Sequence, residues 1–158
     1  MSWKKGYILV VDDDVTILKV FKEILVMEGY IVDTAKTGQE AMEKSEKNIY
    51  DLALLDIRLP DIEGMDLLRK LHRLRPRMMK IMVTGYPTIE NAIKSVNLGA
   101  DAYIVKPVTP KELLKIIKEK LTEQKEAETM SQEKVNKWIA TRVQKLEEDY
   151  RRKTSGEK

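Results

Sequence analysis

Three consecutive carboxylates, Asp12, Asp13 and Asp14, close a short apolar run from Tyr7 to Val11. A fourth, Asp56, follows Leu52 to Leu55, while Thr84 follows Ile81 to Val83 and Lys106 follows Ala102 to Val105. Each polar group thus ends a near-continuous hydrophobic stretch, the place where a side chain leaves the carboxyl edge of a buried sheet. Carboxylates gathered at such an edge repel one another and hold raised pKa values unless a cation neutralises them. Mg2+ suits the set, with Mn2+ as an alternative, because a hard cation takes oxygen from one or two carboxylates and completes its octahedron with water and phosphate. A carboxylate is also a nucleophile that can form an aspartyl phosphate. Lys106 would supply a point charge to the phosphoryl oxygens, Thr84 a hydroxyl donor, and Gly85 room for the phosphate to approach the backbone.

For these groups to act together, the strands that carry them must be neighbours. The four apolar runs read as strands buried on both faces, and Ile31 with Val32, after Gly29, reads as a fifth strand at or near an edge. Helical signals lie between them. Thr37 with Glu40 forms a capping box, and Thr109, Pro110 and Glu112 supply a cap, a first-turn proline and a second box partner. Gly29 and Gly99 sit where helices would stop, and Leu113, Leu114, Ile116, Ile117 and Leu121 form a stripe at helical spacing. Strand–helix alternation specifies an α/β chain: a flavodoxin-like, doubly wound, five-stranded parallel sheet in the order 2-1-3-4-5, with helices on both faces. In that order strands one, three, four and five are consecutive, about 4.8 Å apart, and their polar tips converge.

Taken together, Ile8-Leu9-Val10-Val11-Asp12-Asp13-Asp14, Leu55-Asp56-Ile57-Arg58-Leu59-Pro60-Asp61-Ile62-Glu63-Gly64, Val83-Thr84-Gly85 and Ala102-Tyr103-Ile104-Val105-Lys106-Pro107 resemble the motifs of bacterial and archaeal response-regulator receivers. The resemblance covers roughly residues 6 to 123, and four motifs in order and spacing make it specific. It implies that Asp56 accepts a phosphoryl group from a histidine kinase or a phosphotransfer protein. It implies that Asp12, Asp13, Asp56 and the Arg58 backbone carbonyl position Mg2+, and that Asp14 caps the first helix. Thr84 and Lys106 would contact the phosphoryl group, and Tyr103 would turn inward as Thr84 moves toward it. Arg58 and Tyr86 occupy positions that tune access of water to the phosphate, the Lys106–Pro107 bond would be cis, and the output surface would be helix four, strand five and helix five. The protein is then a signalling switch, not an enzyme acting on metabolites.

The rest of the sequence narrows the class. No apolar run approaches the roughly 20 residues that span a bilayer, and no cysteine is present for disulfides or thiolate chemistry, which points to the cytoplasm. A net charge of +3 from 29 basic and 26 acidic interspersed residues predicts no direct nucleic-acid contact. His72 lies among basic neighbours on a helix and receives no function, and Met78, Met79 and Met82 read as gap-filling or surface residues.

Residues 1–123 are expected to form the receiver and 124–158 a charged extension. In the latter, Val135, Trp138, Ile139, Val143, Leu146 and Tyr150 predict an amphipathic helix starting after a Thr129 or Ser131 cap. That stripe would pack on its own receiver or serve a homodimer or partner contact. One rival remains: Asp12-Asp13-Asp14-Val15-Thr16 also fits the DxDxT pattern of haloacid-dehalogenase-like phosphatases, with Asp12 as nucleophile. That reading needs a further acidic pair after a later strand, and none follows Lys106.

Overall fold

The computed structural model describes residues 5–156, so the outermost ends of both expected segments, 1–4 and 157–158, lie outside the described residues. Among the described residues, five strands alternate with five helices. In chain order they are β1 (Tyr7–Val11), α1 (Val15–Met27), β2 (Ile31–Ala35), α2 (Gly38–Lys47) and β3 (Leu52–Leu55). There follow α3 (Gly64–Leu74), β4 (Met79–Thr84), α4 (Ile89–Asn97), β5 (Ala102–Val105) and α5 (Pro110–Thr154). The sheet is parallel throughout, in the order β2-β1-β3-β4-β5.

Why the central strands read as unbroken apolar runs is visible in the core. Ile8 and Val10 of β1 join Leu52, Leu54, Ile81 and Val83 in one layer with Leu18, Phe21 and Leu25 of α1 and Leu113 and Ile117 of α5. Leu9 and Val11, with Ala53, Leu55 and Met82, face the other way onto Ala41 of α2 and Leu67, Leu68 and Leu71 of α3. Alternate residues serve opposite layers, so every position must be apolar. Met78 and Met82 are buried in the second layer, and Met79 packs partly buried against the first.

Helix ends follow the sequence signals closely. Asp14 caps α1 by accepting from the Thr16 and Ile17 N–H groups, and Thr37 caps α2 by accepting from Glu40 N. The return arm of that box reaches one residue further back, since Glu40 Oε2 accepts from Lys36 N at 3.0 Å. Gly29 and Gly99, at φ +101° and +105°, end α1 and α4 in the left-handed conformation that other residues rarely adopt.

The tail departs from expectation. No new helix begins at Thr129 or Ser131; α5 runs unbroken from Pro110 to Thr154. Thr129 Oγ1 instead donates back to the Lys125 carbonyl at 2.9 Å, a helix-interior bond. Lys, Glu, Gln, Ala and Leu dominate residues 111 to 134, with neither Gly nor Pro to stop a helix, and such residues outweigh a cap signal. The chain divides into two compact units, one ending at Leu121 and one starting at Thr122.

Candidate functional site

The ladder continues one residue past three of the strands and fixes where the tips meet. Asp12 N donates to Ala35 O, Asp56 N to Val11 O and Lys106 N to Thr84 O, at 3.1, 3.0 and 2.8 Å. Because Val11 pairs with Leu55, the residues that follow, Asp12 and Asp56, are side by side. Thr84 pairs with Val105, which brings Lys106 to the same edge.

Asp12, Asp56 and Thr84 are buried at this edge, at 3%, 7% and 0% exposure. Lys106 Nζ lies 2.7 Å from Asp12 Oδ2 and 3.6 Å from Asp56 Oδ2. Carboxylate oxygens of Asp12, Asp13 and Asp56 lie within 4.8 Å of one another. Asp12 Oδ1 also accepts from Asp14 N at 2.9 Å, and Asp56 Oδ1 from Arg58 N at 3.4 Å.

The electrostatics follow from this crowding. Burial above all, and then the neighbouring Asp12 charge, push the Asp56 carboxyl above its ordinary range, against the pull of Lys106 and the Arg58 N–H. Burial works to lower the Lys106 ammonium, but its hydrogen bond to Asp12 and the charges of Asp12 and Asp56 outweigh it, so it stays protonated above its usual range. One lysine thus serves two of three close carboxylates. The excess of negative oxygen is the donor set that a hard divalent cation takes, and softer metals would ask for sulfur or imidazole.

Thr84 Oγ1 accepts from Tyr86 N at 2.9 Å, which fixes its rotamer at the strand end. Tyr103 is half-buried against the second core layer, and its hydroxyl is buried without a hydrogen-bond partner among the described residues. The Arg58 guanidinium stacks 3.5 Å over the Tyr86 ring. No atom of Gly85's surroundings lies within 4 Å of where a Cβ would sit, so the approach over it is open. The Lys106–Pro107 bond is cis.

The family model that matches this chain is the response regulator receiver domain, over residues 8–118. The chain belongs to the response-regulator receiver family. Its fold superposes on a CheY-like receiver domain protein from Methanospirillum hungatei JF-1 with a TM-score of 0.76 and 56% identity, covering 77% of this chain and 97% of that one. A BeF3-activated DrrB receiver domain matches with a TM-score of 0.69 and 33% identity, covering 74% and 97%. Among curated relatives, the alginate biosynthesis transcriptional regulatory protein AlgB of Pseudomonas aeruginosa is 32% identical over 155 residues, 98% of this chain. The chain spans 32% of AlgB's length. Receivers are switches of two-component signalling that take phosphate from histidine kinases and bind Mg2+ through acidic residues. No described helix is long and apolar enough to cross a membrane.

Two residues of this site carry no role in the sequence reading. Gly64 opens α3 directly against the loop that follows Asp56: a Cβ there would sit 2.2 Å from the Asp56 carbonyl oxygen and 2.6 Å from Ile57 Cα. Only glycine permits that approach. Asp61, in the loop after β3, accepts from Gly38 N and Gln39 N at 2.8 and 2.9 Å and so ties the start of α2 to the loop that leaves Asp56. The signal for Gly64 was its place in the quoted motif. For Asp61 the partner lies on another element, which no local pattern reveals.

Proposed function

We propose that this receiver is a phosphorylation switch in which the Asp56 carboxylate attacks the phosphorus of a phosphohistidine on a partner kinase or phosphotransfer protein. The P–N bond breaks, the new P–O bond forms an acyl phosphate, and the histidine leaves with a proton. The observation that carries this is the buried Asp56 side chain beside Asp12 and Lys106, with Asp13 within metal-binding reach.

Asp12, Asp13 and Asp56, with the Arg58 backbone carbonyl, would hold Mg2+, which when bound offsets charge on the phosphoryl oxygens. The protein's own groups do the rest. Lys106, held by Asp12, supplies a fixed positive charge 3.6 Å from Asp56 Oδ2, and the Thr84 hydroxyl donates to a phosphoryl oxygen after releasing the Tyr86 N–H. Up to about two added negative charges bias a pre-existing active arrangement. Tyr103, packed inward from β5, carries the change to the α4–β5–α5 face, whose exposed Ile89, Ile93, Val96 and Val105 suit a homodimer or target contact. The compartment in keeping with these partners is the cytoplasm.

The stacked Arg58 and Tyr86 shield the phosphate from water. An Arg58→Ala variant should shed its phosphate at a different rate from the parent, and an unchanged half-life would dismiss that role. For the switch itself, incubation with acetyl phosphate and Mg2+ should add one phosphoryl group to the intact mass, and chelation or Asp56→Asn should prevent it. Equal loading of Asp56→Asn would refute the assignment. The phosphatase alternative, with Asp12 as nucleophile, gains no support, since Lys106 and the Asp14 N–H already engage both Asp12 oxygens.

A further inference from the structure

Beyond Leu121, α5 carries a stripe of large apolar side chains that the receiver's chemistry does not use. Val135, Ile139, Val143, Leu146 and Tyr150 are all exposed, Leu146 at 60% and Tyr150 at 70%. The steps from Ile139 to Val143, Leu146 and Tyr150 are four, three and four, the alternation of a heptad seam and not of a helix lying on a broad globular surface. Val143 and Tyr150 then occupy a positions and Ile139 and Leu146 d positions. Extending the frame by one step places Asn136 at a.

Three further features fit one occupant, a second copy of the same segment. The first is shape. A depression on this helix is lined by Val143, Leu146, Glu147, Tyr150 and Arg151. The first four are the a, d, e and following a positions, the four-sided hole that receives a d-position knob from a parallel partner. Leu146 is itself such a knob, so the surface is self-complementary. The second is charge: the frame puts Arg142 at g and Glu147 at the next e, so in a parallel pair each arginine faces the other chain's glutamate, twice by symmetry. Val135 at g faces Ala140 at e in the heptad before, which extends the apolar seam. The third is the polar residue at a. Asn136 Oδ1 accepts from Gln132 Nε2 at 2.9 Å, closing the amino-terminal end of the seam. A lone asparagine at a favours two parallel strands in fixed register, because any slip would oppose its amide to an apolar side chain.

We propose that residues 135–150 form a short parallel, in-register two-stranded coiled coil with a second copy of this chain. The pairing goes beyond the phosphoacceptor reading and does not depend on it. The seam covers little more than two heptads, so the dimer is weak and in exchange, and Trp138, at an outer position, stays exposed within it.

The test uses the full chain. Sedimentation equilibrium should give a concentration-dependent rise from one 18.3 kDa chain toward twice that mass. Leu146→Asp should hold it at one chain while leaving loading by acetyl phosphate intact. Arg142→Glu should weaken association about tenfold, and adding Glu147→Arg should restore it. The chain has no cysteine, so a single introduced thiol reports register. Val143→Cys should oxidise to a covalent dimer, and Glu148→Cys, on the outer face, should not. A single-chain mass at every concentration, or a dimer that Leu146→Asp leaves unchanged, overturns the proposal. So does a dimer in which Val143→Cys fails to cross-link, since an antiparallel pair sets a against d.

Discussion

Asp56 is a carboxylate that the fold holds in an uncomfortable place. Burial, and after it the Asp12 charge, raise its pKa in the folded chain, whereas the unfolded chain titrates it near 3.9. Its contribution is therefore harmless below the unfolded value and turns against folding as pH rises through the folded one. Asp56→Asn, which cannot ionise, should melt at a higher temperature than the parent at pH 7 without divalent ions, and the gap should close as pH falls below about 3.9. A gap of the same size at pH 3 would show that ionisation of Asp56 is not its source. Asp12, Asp56, Thr84 and Lys106 were legible in the sequence because each directly follows an apolar run. What the sequence did not reveal is the division of labour around Lys106, whose short bond goes to Asp12 at 2.7 Å and not to Asp56. That distance depends on how the strand tips stagger, which β-pairing sets and local pattern does not.

At the scale of elements, the strands and most helix ends could be read directly, since strands buried on both faces must be apolar throughout and caps have short-range chemistry. The joins between elements could not. Asp61 holds the first two N–H groups of α2 from 22 and 23 residues away. Asp61→Ala should lower the urea midpoint of the chain, as loss of a helix cap does, and Asp61→Asn should recover part of it. No loss on Asp61→Ala would mean that Thr37 alone secures the helix start. The continuity of α5 through Thr129 is the converse case. There a cap-like residue suggests a boundary, but an unbroken supply of helix formers lets the hydroxyl bond to the preceding turn.

For the whole molecule, stability in alkali has an unusual source. Lys80 of β4 is fully buried at the edge of the sheet opposite Asp56, where its Nζ donates to the Arg75 carbonyl at 2.7 Å and lies 3.1 Å from His72 Nδ1. Burial pushes its pKa down to about 8 against an opposing pull from Asp101. Nothing in the run Met78 to Val83 marks a lysine that will be buried, and His72, read as functionless, is its neighbour. Because the unfolded lysine keeps its proton to about pH 10.4, the folded state gains stability between about pH 8 and 10. Higher still, Tyr50 and Tyr7, which both donate to Asp33, are held protonated in the fold, so their ionisation reverses the trend. The melting temperature should climb from pH 8 to 10, and Lys80→Met should flatten that climb; an unaltered slope would assign it elsewhere. Whether four strand tips make Asp56 the phosphoacceptor is answered by locating the acyl phosphate itself. Borohydride reduction of the chain loaded with acetyl phosphate and Mg2+ converts the modified aspartate to homoserine, and peptide mass mapping should find it at position 56. Homoserine at position 12, with residue 56 unchanged, would move the nucleophile to the tip of β1.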